Sequence, residues 1–298
     1  MLISVLWICA LIMWFALQIG AEVRLQGEEQ VHIFRKSQAL HLAIGGSYEA
    51  LGRMGQSSSL GLGKKGGVQL KDFFSKKDKG AGTDDDWLPD GKPHLIEYQT
   101  GQAVVIVEAE KQKVNVNKAT PEQIKDVLRK TGMEDFAAEG LADVIADFID
   151  RDELSRLHGA EKDQYKHLGL HYGPFNGPLL SIEQMLLIPG ITQEMFFAYG
   201  QTGDEEEGIS TDITKSFMLP GKNSLFHMFT VYGKNEVLRD DESEETLEKT
   251  INWESGGIYR ILSCARSFTG PPAVLIWLIV KYAPESEDGY EVLYRKIL

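Results

Sequence analysis

The chain begins with an apolar segment, MLISVLWICALIMWFALQIG, and no charged side chain occurs before Glu22. An α-helix rises about 1.5 Å per residue, so this segment would measure about 30 Å, which is the hydrocarbon thickness of a bilayer. A secretory signal begins with basic residues and has a shorter apolar run. Because no Lys or Arg precedes this run, the pattern predicts a membrane-spanning helix in preference to a signal peptide.

Beyond this segment the apolar residues become periodic. Five apolar residues form one stripe among the charged positions, and they follow one another at intervals of seven, four, four and three residues. They are Ile33, Leu40, Ile44, Tyr48 and Leu51. This spacing is typical of one face of an α-helix. We therefore expect a single transmembrane and spine helix over residues 1–51, whose outer half lies on a soluble domain. The Gly/Ser-rich stretch that follows predicts a flexible loop.

Strand patterns follow this loop and return near the end of the chain. Residues 95–98 and 103–108 are strand-like and lie close to the turn sequence Pro-Asp-Gly at 89–91, which predicts a hairpin. Four later segments are also predicted strands: LFHMFTVYG, GGIYRILSCARSF, AVLIWLIVKYA and YEVLYRKIL. The apolar run at 273–280 is too short for a second membrane crossing, so we expect a central strand of the sheet.

Short helices are predicted between the two groups of strands. Thr120 and Gln123 have the spacing of a capping box, with Pro121 at the first helical position. Apolar positions within 136–148 indicate a second helix, and Ser181 would cap a third at IEQMLL.

The order of these elements predicts an α+β fold. Residues 68–114 and 201–298 would form the α/β domain behind the spine helix, and residues 115–200 would form an inserted α-helical subdomain.

Composition excludes several functions. The formal charge of −13 over 298 residues argues against a basic nucleic-acid face and favours cations or a basic partner as ligands. Of the two cysteines, Cys9 lies inside the predicted membrane segment and Cys264 lies near the end of the chain, so we do not expect them to meet and the sequence indicates no disulfide framework. No H-E-x-x-H, G-x-S-x-G or C-x-x-C motif occurs, so the sequence predicts no enzyme.

Two segments of the helical region, VNVNKATPEQIKDVL and MLLIPGIT, resemble the helix-hairpin-helix module of competence-type DNA receptors. In that module a glycine turn and nearby basic residues bind phosphate. Here Glu194 stands in place of a basic residue and would repel an anion. A packing role is favoured, and a membrane-anchored DNA-binding protein remains the alternative.

The segment DRDELSRLHGAE has acids at the first, third and twelfth positions, which are Asp150, Asp152 and Glu161. An EF-hand loop places calcium ligands at these positions. The match is partial, because Ser155 replaces the glycine of the sixth position and Leu154 offers only its backbone carbonyl at the fifth. A hydrated loop that caps helix ends is the alternative. The acids at 84–86 and 205–207 form a second possible cluster.

Six segments follow one another along nearly the whole chain: 87–93 (W-x-P-D-G-x-P), 114–120 (VNVNKAT), 147–165 (DFIDRD followed by GAEKDQY), 172–190, 230–233 (T-V-Y-G) and 290–294 (Y-x-V-L-Y). In this order they resemble the motifs of the K-type minor pseudopilin family of the bacterial type II secretion system, in which the third segment reads D-W-x-D-x-D. One departure is the acidic segment KNEVLRDDESEETLEK, which replaces a second asparagine motif found in many members.

The resemblance implies a type IV pilin-like fold, with a long N-terminal transmembrane helix packed on an antiparallel sheet. It implies a non-enzymatic subunit at the tip of the secretion pseudopilus, which helps to initiate filament assembly and supports protein export across the outer membrane. The implied partners are the I- and J-type minor pseudopilins, the major pseudopilin and the inner-membrane assembly platform. The soluble domain would lie in the periplasm. A minor pilin of a related type IV pilus remains an alternative.

The resemblance also bears on single residues. It implies calcium as a cofactor, held by Asp150, Asp152 and Glu161. Met1 would be the first residue after removal of a leader peptide and would be methylated, although a mis-called start codon would give the same sequence. Most pilins carry a glutamate at position five, whereas Val5 is usual for the K-type member and suits a subunit with none above it.

Overall fold

The structure, a computed structural model, describes residues 2–59, 87–198, 217, 219–233 and 253–298. Its first element is helix α1, Leu2–Ser59, which is long and apolar enough near its N-terminus to cross a membrane. The predicted helix end at Leu51 is wrong, because the helix continues through the glycine- and serine-rich residues. Met54 is buried in the core there, so packing outweighs the weak helix propensity of Gly and Ser.

Behind this helix lies a five-stranded antiparallel sheet with the strand order β1-β2-β5-β6-β7. The strands are β1 (Asp90–Tyr98), β2 (Gly101–Ala109), β5 (Ile258–Ser267), β6 (Gly270–Tyr282) and β7 (Tyr290–Ile297). The predicted hairpin is confirmed as the pair β1–β2. The apolar run at 273–280 lies inside β6, between β5 and β7, so the prediction of an interior strand is also confirmed.

Both faces of the sheet are buried. Val105 and Ile261 face α1, whereas their neighbours Val104 and Leu262 face the helical insertion. Successive side chains of a strand point to opposite faces, so strands buried on both sides read as nearly continuous apolar runs. This explains why β6 reads as an almost uninterrupted apolar run over residues 273–280, whereas the edge strand β7 is largely exposed and carries charged residues.

The insertion consists of short helices and one small parallel strand pair. Its helices are α2 (Pro121–Lys130), α3 (Asp135–Ile149), α4 (Lys162–His167) and α5 (Gln193–Phe197), with a 3-10 helix at Ile182–Leu187. Strand β3 (Val114–Asn115) pairs in parallel with β4 (Phe229–Thr230), where the chain enters and leaves this region. The capping box of Thr120 and Gln123 is confirmed.

Two element predictions are corrected. The segment IEQMLL forms a 3-10 helix, and LFHMFTVYG begins with helix α6 (Leu225–Met228) before the two-residue strand β4. Ser224 caps α6 by accepting a hydrogen bond from the backbone N–H of His227 at 3.4 Å. This local cap explains why a strand-like sequence forms a helical turn.

The predicted α+β fold, with a long helix packed on an antiparallel sheet, is confirmed. The domain limits stay a prediction, and those at residues 68, 200 and 201 lie outside the described residues.

The face that α1 turns to the sheet differs from the predicted stripe. Ile33 is 59% exposed and Tyr48 is 60% exposed, while Leu40 and Ile44 only flank the contact. The buried positions of α1 are mostly small, namely Ala39, Leu42, Ala43, Gly46, Ser47, Ala50, Leu51 and Met54. Counting large apolar residues therefore missed the contact, because small side chains let the helix backbone approach the sheet closely.

Gly46 is the closest point of this contact and supplies a test. A Cβ atom there would lie 2.5 Å from Ser263 Oγ and 2.9 Å from Val105 Cγ2. Gly46→Val should therefore lower the free energy of unfolding by about 1–3 kcal/mol, the usual cost of overpacking. The matched control is Gly52→Val, since a Cβ atom at Gly52 meets nothing within 4 Å. Thermal unfolding of the full chain in detergent measures both, and equal losses would contradict the close contact.

Candidate functional site

The three predicted metal ligands lie at the junction between α3 and α4. Asp150 follows the last residue of α3, and Glu161 precedes the first residue of α4. Asp152 is exposed in the connecting loop, where its Oδ1 accepts a hydrogen bond from Leu154 N at 2.9 Å. The fold thus gathers all three acids at one end of the insertion.

A fourth acid, Asp147, was missed as a site residue. Asp147 is fully buried on α3, and its Oδ2 accepts a hydrogen bond from Arg156 N at 3.1 Å. A Cβ atom at Gly159 would lie only 1.8 Å from this Oδ2, so the close approach of the loop requires glycine. The signal was available in the sequence, because the segment DFIDRD, which corresponds to the family pattern D-W-x-D-x-D, begins at Asp147.

Arg156 supplies the positive charge at this junction. Its Nη1 atom lies 2.5 Å from Asp147 Oδ1 and 2.5 Å from Asp150 Oδ2. Hydrogen bonds to Asp150 and then Asp147 outweigh partial burial and raise the pKa of Arg156. One guanidinium therefore bridges the two carboxylates that are nearest to the end of α3.

Glu161 has no such partner. The residue is only 6% exposed, and its side chain faces the backbone N–H of Gln164 in a capping box, but neither carboxylate oxygen makes a hydrogen bond of normal geometry or an ion pair. Burial raises the pKa of Glu161, and the negative charges of Asp147, Asp150, Asp152 and Glu153 raise it further. An acid with a raised pKa binds its proton more tightly in the folded state, so it destabilises the fold at pH values above that pKa.

These acids do not form a complete set of metal ligands in this conformation. Across the part of the chain that the structure describes, no group of three His, Cys, Asp or Glu side chains is arranged to hold a metal ion. The unpartnered oxygens of Glu161 and the unpartnered Oδ1 of Asp150 nevertheless fit a cation, since buried carboxylate oxygens are hard ligands. The second predicted cluster, 84–86 and 205–207, and Met1 lie outside the described residues.

A separate buried charge network fixes the base of the insertion. Arg260 on β5 is almost fully buried, with its Nε 2.7 Å from Glu110 Oε1 and its Nη2 3.1 Å from Glu110 Oε2. The guanidinium also donates to the carbonyl oxygens of Phe226 and Phe229, and the Thr230 hydroxyl donates to Glu110. These contacts join the sheet to both ends of the inserted region.

Glu108, Lys113 and His227 extend this network. Burial alone would raise the pKa of Glu108, but His227 and then Lys113 hold it well below its usual range. Burial lowers the pKa of Lys113, with a further lowering by the charge of Arg260. The groups neutralise each other inside the protein, which indicates a structural role.

Asparagine side chains also fix the segments that lead into and out of the insertion. Asn115 Nδ2 donates to the carbonyl oxygens of Tyr232 at 3.1 Å and Gly233 at 3.0 Å. Asn117 both donates to Leu179 O at 2.9 Å and accepts from Leu179 N at 2.7 Å. The asparagine side chains of the motif VNVNKAT therefore hydrogen-bond to backbone groups of distant segments and hold those segments in place.

The glycine turn of the helix-hairpin-helix pattern is a packing device. Gly190 adopts φ +94° between the 3-10 helix and α5, and a Cβ atom there would lie 3.3 Å from Leu141. Glu194 occupies the first turn of α5, so the turn presents a negative side chain where phosphate would have to bind. This geometry does not favour DNA binding.

Cys264 gives no support for catalysis. Burial raises the pKa of its thiol to about 12, and its Sγ lies 3.1 Å from Phe217 O. A buried thiol of this kind is inert as a nucleophile.

The network at the base of the insertion gives a second test. Arg260→Met leaves Glu110 buried without its cation and should cost about 3–5 kcal/mol of unfolding free energy. The control is Lys111→Met, which removes an exposed ion pair with Glu254 and should cost less than about 1 kcal/mol. Adding Glu110→Gln to Arg260→Met should recover part of the loss. Chemical unfolding of the full chain in detergent measures the four proteins, and equal effects of Arg260 and Lys111 would contradict the proposed role of burial.

A comparison with known protein families finds a match over the region that contains the insertion. Residues 102–199 match the family model described as type II secretion system protein K. No curated protein matches the chain. Among solved structures, a chain of the GspK-GspI-GspJ complex from the enterotoxigenic Escherichia coli type 2 secretion system is similar, with 17% sequence identity and a TM-score of 0.46. The match covers 89% of this chain and 99% of that chain. The resemblance to the K-type minor pseudopilins is thus confirmed over residues 102–199, the segment that contains strand β2 and the inserted helices.

Proposed function

We propose that the chain is the K-type minor pseudopilin of a type II secretion system and acts as a structural, non-catalytic subunit. The observation that carries this proposal is the family match of the helical insertion, on a sheet that packs against a helix able to cross a membrane. In this function the first helix anchors the chain in the inner membrane by a single pass, and the soluble domain lies in the periplasm. Leader removal and methylation at Met1 belong to the same proposal.

Exposed apolar side chains in the outer half of α1 support the proposal that this subunit assembles with others. The buried contact with its own sheet begins at Ala39, whereas Ile33 is 59% and Phe34 is 67% exposed. Val31 adds a third exposed apolar side chain within the same turn. Apolar side chains exposed together outside a membrane are expected to be covered by a partner. The I- and J-type minor pseudopilins are the partners that we propose.

The filament tip is the position that we propose. Val5 stands where a stacked pilin would need an acid to pair with the N-terminus of a neighbour, and the insertion adds bulk to one side of the sheet. From the tip, the subunit would help to initiate the assembly of the major pseudopilin on the inner-membrane platform and so support export across the outer membrane. Neither role requires bound nucleic acid.

The assembly proposal is tested with charges on the exposed turn. Ile33→Lys combined with Phe34→Lys should abolish co-purification with the I- and J-type partners, because burying two new ammonium groups in an apolar interface is costly. The matched control is Gln30→Lys, which adds a charge to the same exposed helix at a position that is already polar. The circular dichroism of both variants should equal that of the parent. A complex that survives the double change would contradict the proposed interface.

We further propose that the acids between α3 and α4 bind calcium. The support is the buried, unpartnered carboxylate of Glu161, together with Asp150 and Asp152 in the same loop. A cation bound only by the folded state would stabilise it by about 2.7 kcal/mol at a hundredfold excess over the Kd. Asp150, Asp152 and Glu161 would hold the ion, which would neutralise charges that now repel each other.

Glu161→Gln tests this proposal because its expected effects have opposite signs. At pH 7 without calcium the variant should be more stable than the parent, since a carboxyl group whose pKa is raised by folding destabilises the fold at pH values above its unfolded pKa. The advantage should shrink as the pH falls towards the ordinary glutamate pKa of about 4.3. With calcium the parent should show a higher melting temperature, whereas Glu161→Gln and Asp152→Ala should show no rise.

The control for net charge is Glu153→Gln, an exposed acid of the same loop, which should keep the calcium response. All measurements use the full chain in detergent, with calcium or with chelator. A parent without a calcium-dependent rise has no site, and a response that persists in Asp152→Ala and Glu161→Gln would place the site elsewhere.

A further inference from the structure

Arg156 places a positive charge between two acids of the acidic junction. Its Nη1 atom lies 2.5 Å from an oxygen of Asp147 and 2.5 Å from an oxygen of Asp150. The two acids therefore share one guanidinium nitrogen, as they would share a metal ion. The side chain of Arg156 is 35% exposed, whereas that of Asp147 is fully buried.

The two partners differ in their freedom to move. Asp147 is fixed on α3 and is enclosed by the loop backbone at Gly159. Arg156 lies in the loop between α3 and α4, and its guanidinium faces partly into solvent. A rotation of the Arg156 side chain would free Asp150 without any change in the helix.

The guanidinium also leaves the junction incompletely neutralised. It contacts Asp147 and Asp150, while the 6% exposed carboxylate of Glu161 keeps both oxygens without a partner. One positive charge thus stands against the four acids Asp147, Asp150, Asp152 and Glu161. A divalent ion would bring more charge to the same place, and its gain would be reduced by the contacts that Arg156 must give up.

We propose that Arg156 is an internal competitor for the calcium site: its guanidinium holds Asp150 in the metal-free protein, leaves when calcium binds, and thereby sets the calcium affinity. This inference rests on the calcium proposal above and adds the residue that tunes it. Competition by a tethered cation weakens binding. The site should therefore fill only at the high calcium levels of extracytoplasmic compartments, for which modules have Kd values of about 10⁻⁴–10⁻³ M.

The test compares the loss of this arginine with the loss of its neighbour. Arg156→Gln should lower the Kd for calcium by about tenfold or more and should lower the melting temperature of the metal-free chain. Arg151→Gln removes the same charge from an exposed position of the same loop and should change both quantities much less. Arg156→Lys keeps a positive charge and should stay nearer to the parent in Kd. Calcium titrations use the full chain in detergent, by calorimetry and by thermal unfolding.

The parent gives an independent reading that does not depend on the stability of any variant. In a chain labelled with ¹⁵N-arginine, the Arg156 guanidinium resonance should move towards that of a solvent-exposed arginine as calcium is added. An Arg156 resonance that stays unchanged at saturating calcium would overturn the competition.

The outcomes separate the two proposals. If the parent and Arg156→Gln bind calcium with the same Kd, or if Arg151→Gln has an equal effect, the competition is wrong while the calcium site stands. If only Arg156→Gln binds calcium in the millimolar range, the calcium proposal is wrong for the parent, and the guanidinium excludes the metal ion there. If neither protein binds calcium, both proposals fall.

Discussion

Burial of the sheet on both faces is the constraint on which the other elements depend. The middle strands carry apolar side chains alternately towards α1 and towards the insertion, as Val105 and Val104 do. Each face needs a cover, because an exposed apolar face of this size would associate with other molecules. One cover is the spine helix, which must come close and therefore has Ala39, Ala43 and Gly46 at the contact. The other cover is the insertion, which is consequently part of the core.

This arrangement explains the charge buried beneath the insertion. Arg260 points from β5 to the face that the insertion covers, and its contacts with Glu110 and with carbonyl oxygens near Phe229 satisfy both ends of the inserted region. Directional polar contacts of this kind fix one orientation, whereas apolar packing alone tolerates several. The acidic junction is held in a fixed position as well, because α3 is anchored by buried side chains such as Ile145 and Phe148 directly before Asp150.

The elements that could be predicted from the sequence are those with local signals. The cap at Thr120, the β1–β2 pair and the apolar strands depend on neighbouring residues, and each is found where the sequence placed it. The Pro-Asp-Gly sequence is not the turn of this hairpin, because Asp90 and Gly91 lie in β1 and the turn falls at residues 99–100. Three features were missed by these local patterns. The small-residue face of α1 carries no large apolar pattern, and α6 forms in a strand-like sequence. Asp147 is recognised as a site residue only when Gly159 and Arg156 are seen to close over it.

The sequence predicted three of the acids that meet at the acidic junction, but it did not predict which of them are paired with a positive charge. Spacing identified Asp150, Asp152 and Glu161 as acids that the fold would gather, but it could not reveal that Arg156 would bridge two carboxylates and leave Glu161 unpaired. That asymmetry has a physical meaning. A buried carboxylate without a partner lowers stability, so its presence points to a state in which a positive charge reaches it. Because the junction joins the end of α3 to the start of α4, a cation there would couple two helices of the insertion and leave the sheet unchanged.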